Sequence, residues 1–263
     1  MDERESNGVL FEELLDIVAR LRSEDGCPWD REQTRESLKP LMLEELYEAF
    51  DAIDKHDEIS LREELGDMLL HIVFHAQIGS EQGSFTIREV LAGIIAKMRK
   101  RHPHVFGELQ VKSVDDVLLN WEKIKDEERK EGKGMLSSLP RSLPSLLRAL
   151  AIQSRVARVG FDWKDATEVE RKVEEEWREF LEAWNHQNRT RMEEEWGDLV
   201  FALVNLARHL EIQPEDALRK SCDRFVRRFE FVEKRVKDQG KALENVTLEE
   251  MDALWEEAKK ERL

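Results

Sequence analysis

Residues 44–67 read EELYEAFDAIDKHDEISLREELGD, and residues 175–198 read EEWREFLEAWNHQNRTRMEEEWGD. The second stretch repeats the acidic positions of the first at one constant offset along the chain. Six acidic residues and one glycine recur: Glu44, Glu45, Glu48, Glu63, Glu64, Gly66 and Asp67 correspond to Glu175, Glu176, Glu179, Glu194, Glu195, Gly197 and Asp198. A repeat of this length predicts two copies of one module.

Later positions extend the repeat in the same order. With small changes of offset across the intervening loops, Lys97, Arg101 and Trp121 correspond to Arg224, Arg228 and Trp255. The most loop-like stretch runs from Gly132 to Pro144, where glycine, proline and serine cluster. We therefore predict an N-terminal module over residues 1–133, including a linker helix, and a C-terminal module over residues 134–263.

Composition predicts an all-α fold. Apolar residues recur at helical spacing through most of the 263 residues, as in Leu65, Leu69, Ile72 and Val73. The chain is also rich in strong helix formers such as Leu, Glu, Arg, Lys and Ala. We expect each module to contain four to five helices and to dimerise, so that further helices cover each acidic pair.

The charge balance indicates which partners to expect. The chain has 42 Lys and Arg against 58 Asp and Glu, a net charge of −16. This charge repels phosphate backbones and argues against nucleic acid, while it permits divalent cations to bind. The N-terminus has no signal-peptide pattern, no stretch is apolar enough for a membrane span, and the two cysteines are far apart. We expect a cytoplasmic protein that contacts no membrane.

The acidic positions predict a metal site on a helix pair. At about 100° per residue, the i, i+1, i+4 spacing of Glu44, Glu45 and Glu48 places all three within one arc of a helix. Apolar positions on both helices predict that the pair packs antiparallel, namely Leu46, Ala49, Phe50 and Ile53 on the first and Leu65, Leu69 and Ile72 on the second. Carboxylates gathered in this way repel one another, and a hard cation such as Mg²⁺ relieves that repulsion. A merely solvated acidic face is the simpler alternative.

Gly66 and Gly197 lie inside these predicted helices. A glycine there costs about 1 kcal/mol relative to alanine. We expect the two glycines to mark a close approach of helices, with ordinary packing as the alternative.

Five stretches of sequence together give the chain a family resemblance. They are the two E-E-x-x-E…E-x-x-D sets, Cys27–Asp30 (CPWD), residues 101–107 (RHPHVFG) and residues 158–163 (RVGFDW). The chain resembles MazG, a family of nucleoside triphosphate pyrophosphohydrolases. The resemblance implies a Mg²⁺ requirement, cleavage of a nucleoside triphosphate to nucleoside monophosphate and pyrophosphate, and a homodimer of tandem helical domains.

The resemblance also implies which carboxylates hold the metal. In the second copy the ligands would be Glu176, Glu179, Glu195 and Asp198, and Glu175 is a candidate general base for the attacking water. In the first copy the ligands would be Glu45, Glu48, Glu64 and Asp67.

Cations distinguish the two copies. Lys172 lies one turn before Glu176 and Arg191 one turn before Glu195, so both reach the acidic face. Their counterparts in the first copy are Leu41 and Ser60, although Arg62 or Lys39 could partly substitute. We therefore expect the second copy to be the main catalytic site.

A later helix supplies further candidate contacts with nucleotide. Arg224 and Arg228, one helical turn apart, would present two guanidinium groups to phosphate oxygens. Trp255 resembles a nucleotide-contacting tryptophan, although a core or interface position fits it equally well. Asp67, His71 and His75 also form a stripe on one helix. We do not interpret it as a transition-metal site, because the second copy has Ala202 and Leu206 in place of the histidines.

The sequence thus predicts a Mg²⁺-dependent nucleoside triphosphate pyrophosphohydrolase that uses a metal-activated water. Two alternatives stay open at this point. One is a non-catalytic helical adaptor that binds a basic partner. The other is a pyrophosphatase restricted to one nucleotide, such as dUTP or dCTP.

Overall fold

The computed structural model describes residues 3–113, 116–117, 120–121, 124, 134–137 and 139–261. Within these residues every regular element is helical, which confirms the all-α prediction. The chain divides into two compact units, Met1–Glu128 and Arg129–Leu263. The boundary predicted after residue 133 falls at the end of a stretch outside the described residues and stays a prediction. None of the described helices is both long and apolar enough to cross a membrane.

Unit 1 contains four long helices and two short ones among its described residues. The long helices are α1 (Glu3–Leu21), α3 (Leu38–Lys55), α4 (Glu58–Glu81) and α5 (Ile87–Arg101), and the short ones are α2 (Pro28–Glu32) and α6 (Pro103–Phe106). Proline opens both short helices, where its missing N–H costs nothing. The core lies where α1 and α3 meet α4, at Val18, Leu38, Val73, Phe74 and Ile78.

Unit 2 contains five long helices, namely α7 (Ser145–Ala157), α8 (Ala166–Asn185), α9 (Arg189–His209), α10 (Pro214–Asp238) and α11 (Leu248–Lys260). A short 3₁₀ turn, Leu243–Asn245, precedes α11. Helix α9 packs against both α8 and α7, while α10 packs against α11. Val232, Val236 and Val246 form the core between α10 and α11.

The same turn joins the central helix pair in each unit. His56 ends α3 at φ 54°, and Gln187 follows α8 at φ 53°. Both lie in the left-handed backbone region that residues other than glycine rarely adopt. The next residue then caps the following helix: Asp57 Oδ1 accepts the backbone N–H of Ser60, and Asn188 Oδ1 accepts that of Arg191. The repeat seen in the sequence is therefore also a repeat of backbone geometry.

Two expectations about this helix pair were wrong. Several apolar side chains assigned to the contact between α3 and α4 are exposed instead, namely Phe50, Ile53, Leu65, Leu69 and Ile72. The core is built from a different face of α4, because α1 packs there. Gly66 and Gly197 mark no close approach either, because a Cβ at each would meet no described atom within 4 Å.

Candidate metal and nucleotide site

The central helix pair of unit 2 brings three predicted carboxylates together. Glu176 and Glu179 lie one turn apart on α8, and Glu195 faces them from α9. One carboxylate oxygen of each lies within 4.8 Å of the others. Glu176 is buried and the other two are half-buried. Three hard oxygen donors at this spacing fit a divalent cation such as Mg²⁺.

Unit 1 gathers the corresponding carboxylates in the same way. Glu45 and Glu48 from α3 and Glu64 from α4 each offer an oxygen within 4.8 Å of the others. The fourth predicted ligand of each copy, Asp67 or Asp198, lies outside its group of three. Both aspartates are exposed on the next turn of their helix. The structure therefore assembles three of the four expected ligands in each copy.

Cations already neutralise part of the acidic group in unit 2. Lys172 Nζ lies 2.7 Å from an oxygen of Glu175 and 2.7 Å from one of Glu176. Arg191 Nε lies 3.1 Å from Glu195 Oε1. Hydrogen bonds to Glu175 and Glu176 raise the pKa of Lys172, so this side chain is firmly cationic.

Glu175, the candidate general base, projects into solvent beside this ion pair. Its side chain is 50% exposed, and the hydrogen bond from Lys172 holds the pKa of its carboxyl below the usual value. Glu175 is therefore ionised at neutral pH and is able to accept a proton. The same ion pair makes it a weaker base than a free glutamate.

Charge repulsion is left in both groups. In unit 2, partial burial raises the pKa of Glu179, and the negative charges of Glu195 and Glu176 raise it further. In unit 1, partial burial raises the pKa of Glu45, and the negative charges of Asp67 and Glu48 raise it further. A bound cation would relieve this repulsion in either unit.

The acidic group of unit 1 lies beside a histidine rather than a lysine or arginine among the described residues. Among the described residues, no lysine or arginine forms an ion pair with Glu45, Glu48 or Glu64. The nearest basic group is His71, whose Nε2 lies 3.9 Å from Glu45 Oε1. Burial lowers the pKa of His71 and outweighs the charge of Asp67, which acts to raise it. His71 is therefore a weak counter-ion at neutral pH.

The remaining predicted nucleotide contacts lie on α10 and α11. The Arg228 guanidinium carbon lies 5.8 Å from the centre of the Trp255 ring, and Phe225 packs against the same ring at 4.9 Å. Trp255 also packs against the core of these two helices. Arg224, one turn before Arg228, is exposed. In unit 1 the corresponding pair recurs, with Arg101 5.6 Å from the centre of the Trp121 ring.

A cavity of about 630 Å³ lies against the acidic group of unit 2. Its walls include Lys172, Glu176 and Asp198. Most of the remaining wall is apolar and comes from α7, from the loop before α8 and from α9, with Ile152, Val156, Phe161, Trp163, Phe201 and Ala202 among its residues. The acidic group of unit 2 therefore lies at the wall of a cavity that is otherwise largely apolar.

The loop that walls this cavity is tied to α9. Asp162 accepts a hydrogen bond from Arg208, and its Oδ1 lies 3.2 Å from His209 Nε2. Burial acts to raise the pKa of Asp162, but the contacts with Arg208 and His209 outweigh it, so the pKa lies below its usual value. The RVGFDW string that contributed to the family resemblance thus supplies a fixed wall of the cavity.

The MazG nucleotide pyrophosphohydrolase domain model matches this chain twice, over residues 33–106 and 164–232. The chain belongs to the MazG family. Each match covers one central helix pair and the helix that follows it, so the tandem organisation is confirmed.

Similar proteins extend the match to almost the whole chain. The nucleoside triphosphate pyrophosphohydrolase/pyrophosphatase MazG of Thermotoga maritima is 46% identical, with 96% of each chain covered. The nucleoside triphosphate pyrophosphohydrolase of Escherichia coli K12 is 45% identical, with 96% of this chain and 98% of the relative covered. A solved mazG-related protein from Thermotoga maritima is 28% identical over 44% of this chain and 98% of its own, with a TM-score of 0.39.

Sequence reasoning missed most of the cavity. Gln153, Asn205 and Arg208 line it, and none of them belongs to a pattern that marks a site. Asp162 and Trp163 were visible only as part of a family string. His71 did stand on a visible stripe with Asp67, but the second copy lacks that stripe, so the repeat gave it no role.

Proposed function

We propose that this protein is a nucleoside triphosphate pyrophosphohydrolase, a hydrolase acting on acid anhydrides, that depends on Mg²⁺ and works mainly in unit 2. Membership of the MazG family and the names of its relatives support the reaction. One observation supports unit 2 as the main site: its carboxylates lie beside Lys172 and Arg191, and a cavity opens from them. In unit 1 the described basic group beside the carboxylates is His71, 3.9 Å from Glu45 Oε1.

The reaction breaks one bond and forms another. The oxygen of a water molecule attacks the α-phosphorus, the bond from that phosphorus to the bridging oxygen breaks, and pyrophosphate leaves. Glu176, Glu179 and Glu195, with Asp198 on the next turn, would hold Mg²⁺. When bound, that ion neutralises phosphate charge and acidifies water.

The side chains around the carboxylates carry out the other tasks. Glu175 accepts the proton of the attacking water, because its carboxyl is ionised and exposed. Lys172 and Arg191 offset the negative charge that gathers on the phosphate oxygens, and Arg224 and Arg228 add two guanidinium groups. Trp255 orients Arg228 by packing under its guanidinium.

The reaction predicts a defined metal and product dependence. Purified protein with Mg²⁺ is expected to release one pyrophosphate and one nucleoside monophosphate per triphosphate consumed, because attack at the α-phosphorus yields no free phosphate. Excess chelator should abolish the release, and Mg²⁺ should restore it. Anion-exchange chromatography of the products checks both. Release of orthophosphate and nucleoside diphosphate, or turnover in chelator, would contradict the proposal.

We also propose that the chain is a homodimer. Large apolar side chains on both central helix pairs are exposed, including Leu65 and Ile72 in unit 1 and Trp184 and Trp196 in unit 2. Phe180 links three of the tryptophans in one aromatic cluster, with ring centres 5.5 to 6.2 Å apart. An apolar surface of this kind marks a protein interface, and a second helix pair would bury it.

The dimer predicts a mass of twice the chain's 31.0 kDa in sedimentation equilibrium. Ile72→Asp is expected to shift the mass towards one chain, because it places a charge on the proposed interface. Leu248→Asp is the matched control: Leu248 is 75% exposed at the start of α11 and belongs to neither central helix pair. A wild-type mass of one chain would contradict the proposal.

A further inference from the structure

A buried acceptor on α7 has no donor within the described structure. Gln153 is 4% exposed and lines the cavity of unit 2. Its Nε2 donates to the backbone oxygen of Phe201 at 2.7 Å, which fixes the orientation of the amide. No described residue donates to its Oε1, which is buried. A buried acceptor without a donor destabilises a fold, so Gln153 Oε1 is suited to accept a hydrogen bond from a bound molecule.

Several other polar side chains of the cavity wall already have partners. Arg208 donates a hydrogen bond to Asp162. Its Nη2 and Nε also donate to Asn205 Oδ1, at 2.9 and 3.0 Å respectively. Lys172 is paired with Glu175 and Glu176. Gln153 Oε1 is therefore a neutral acceptor, on a side chain of this wall, that a bound ligand can satisfy without breaking a contact among the described residues.

The cavity has the properties that a nucleobase requires. Its volume of about 630 Å³ lies within the range of roughly 300–1,000 Å³ that is typical of small-molecule sites. Phe161, Trp163 and Phe201 contribute exposed aromatic surface to its wall, against which a flat heterocycle can stack. The wall also includes Glu176 and Lys172, so a base in the cavity keeps its phosphates near the acidic group.

We propose that Gln153 reads the base: its Oε1 accepts an N–H from the pairing edge of a nucleobase held in this cavity. This inference rests on the proposed function and adds a specificity-determining residue to it. Each natural base carries at least one N–H on that edge. A single acceptor therefore admits all of them and selects against bases that lack the donor.

Two pairs of substrates test the inference on the wild-type protein. The first pair is ATP and purine riboside triphosphate, which lacks only the 6-amino group. The second pair is CTP and the triphosphate of pyrimidin-2-one riboside, which lacks the 4-amino group. The natural member of each pair is expected to have about a tenfold higher kcat/KM, the size of one hydrogen bond to a buried acceptor. Equal values within each pair would overturn the inference.

Variants connect this preference to Gln153. Gln153→Met removes the acceptor while it keeps the side-chain length, so the ratio between ATP and its analogue should fall from about ten to about one. Gln153→Met also removes the hydrogen bond from Nε2 to the backbone oxygen of Phe201, so circular dichroism and urea denaturation verify that the variant folds. Gln239→Met, on an exposed glutamine after α10, is the matched control and should keep the ratio near ten. An unchanged ratio in Gln153→Met would overturn the inference.

Calorimetry separates this inference from the proposed function. Non-hydrolysable α,β-methylene triphosphates of adenosine and purine riboside should differ about tenfold in Kd for the wild type, and by the same factor for Gln239→Met. If no triphosphate is hydrolysed but the two Kd values differ, the proposed function fails and the base reading stands. If hydrolysis proceeds and the two Kd values agree, the base reading fails alone.

Discussion

Replacement of Glu176 by glutamine is expected to lower kcat for pyrophosphate release by about 100-fold or more. Glu176 is the buried member of the acidic group in unit 2 and offers an oxygen to the same point as Glu179 and Glu195. Loss of its charge weakens the hold on a divalent cation, whose effect on phosphoryl charge is worth several kcal/mol. Since a rise of about 1.4 kcal/mol in the barrier slows a reaction tenfold, losing even part of that effect gives the expected change.

Glu45→Gln is the matched control, because Glu45 has the corresponding place in unit 1. If unit 2 is the main site, Glu45→Gln should keep at least half of the activity. Initial rates of pyrophosphate release at saturating Mg²⁺ and nucleotide make the comparison, and circular dichroism verifies that both variants keep their helix content. A greater loss in Glu45→Gln than in Glu176→Gln would move the reaction to unit 1.

Lys172→Met is expected to weaken both the fold of unit 2 and its reaction. Without the ammonium, the Glu176 carboxylate loses a partner 2.7 Å away while its side chain is only 8% exposed. An unsatisfied buried acceptor costs about 1–3 kcal/mol, so urea denaturation in chelator should show a loss of that order. The kcat/KM should fall about 10- to 100-fold, since a charge-assisted contact with phosphate is also lost.

Magnesium should stabilise Lys172→Met more than it stabilises wild type, because the ion then neutralises a carboxylate that has no other counter-ion. Lys220→Met is the control: Lys220 pairs with Asp216 on the surface, with both side chains 45% exposed. Such pairs contribute about 0–1 kcal/mol, and neither activity nor the magnesium effect should change. Equal losses of unfolding free energy in the two variants would show that the contact between Lys172 and Glu176 stabilises the fold no more than a surface ion pair does.

The helical fold and the acidic groups follow from local rules. Helical spacing of apolar residues predicted all-α units, and the constant offset between the two acidic stretches predicted their repetition. The i, i+1, i+4 spacing placed Glu44, Glu45 and Glu48 on one arc, and a short turn then set the facing helix at the same level. Each of these inferences needs only the geometry of one helix or of one short connection.

Long-range packing explains what the sequence could not reveal. Phe50 and Leu65 have the spacing of core residues, but α1 packs on another face of α4 and leaves them exposed. The role of Gln153 depends on α7 reaching α9, a contact with Phe201 far along the chain. No periodicity reports which of two apolar faces meets another helix, or which lone polar side chain lines a cavity.

The turn that His56 and Gln187 share bears on how the two halves diverged. Because residues 56–60 and 187–191 have matched caps and the same left-handed kink, Ser60 and Arg191 stand on equivalent stretches of backbone. At these positions the two units therefore differ in side-chain chemistry and not in backbone conformation. After duplication, mutations at such positions beside the site can alter one centre a residue at a time without unfolding the module that carries it.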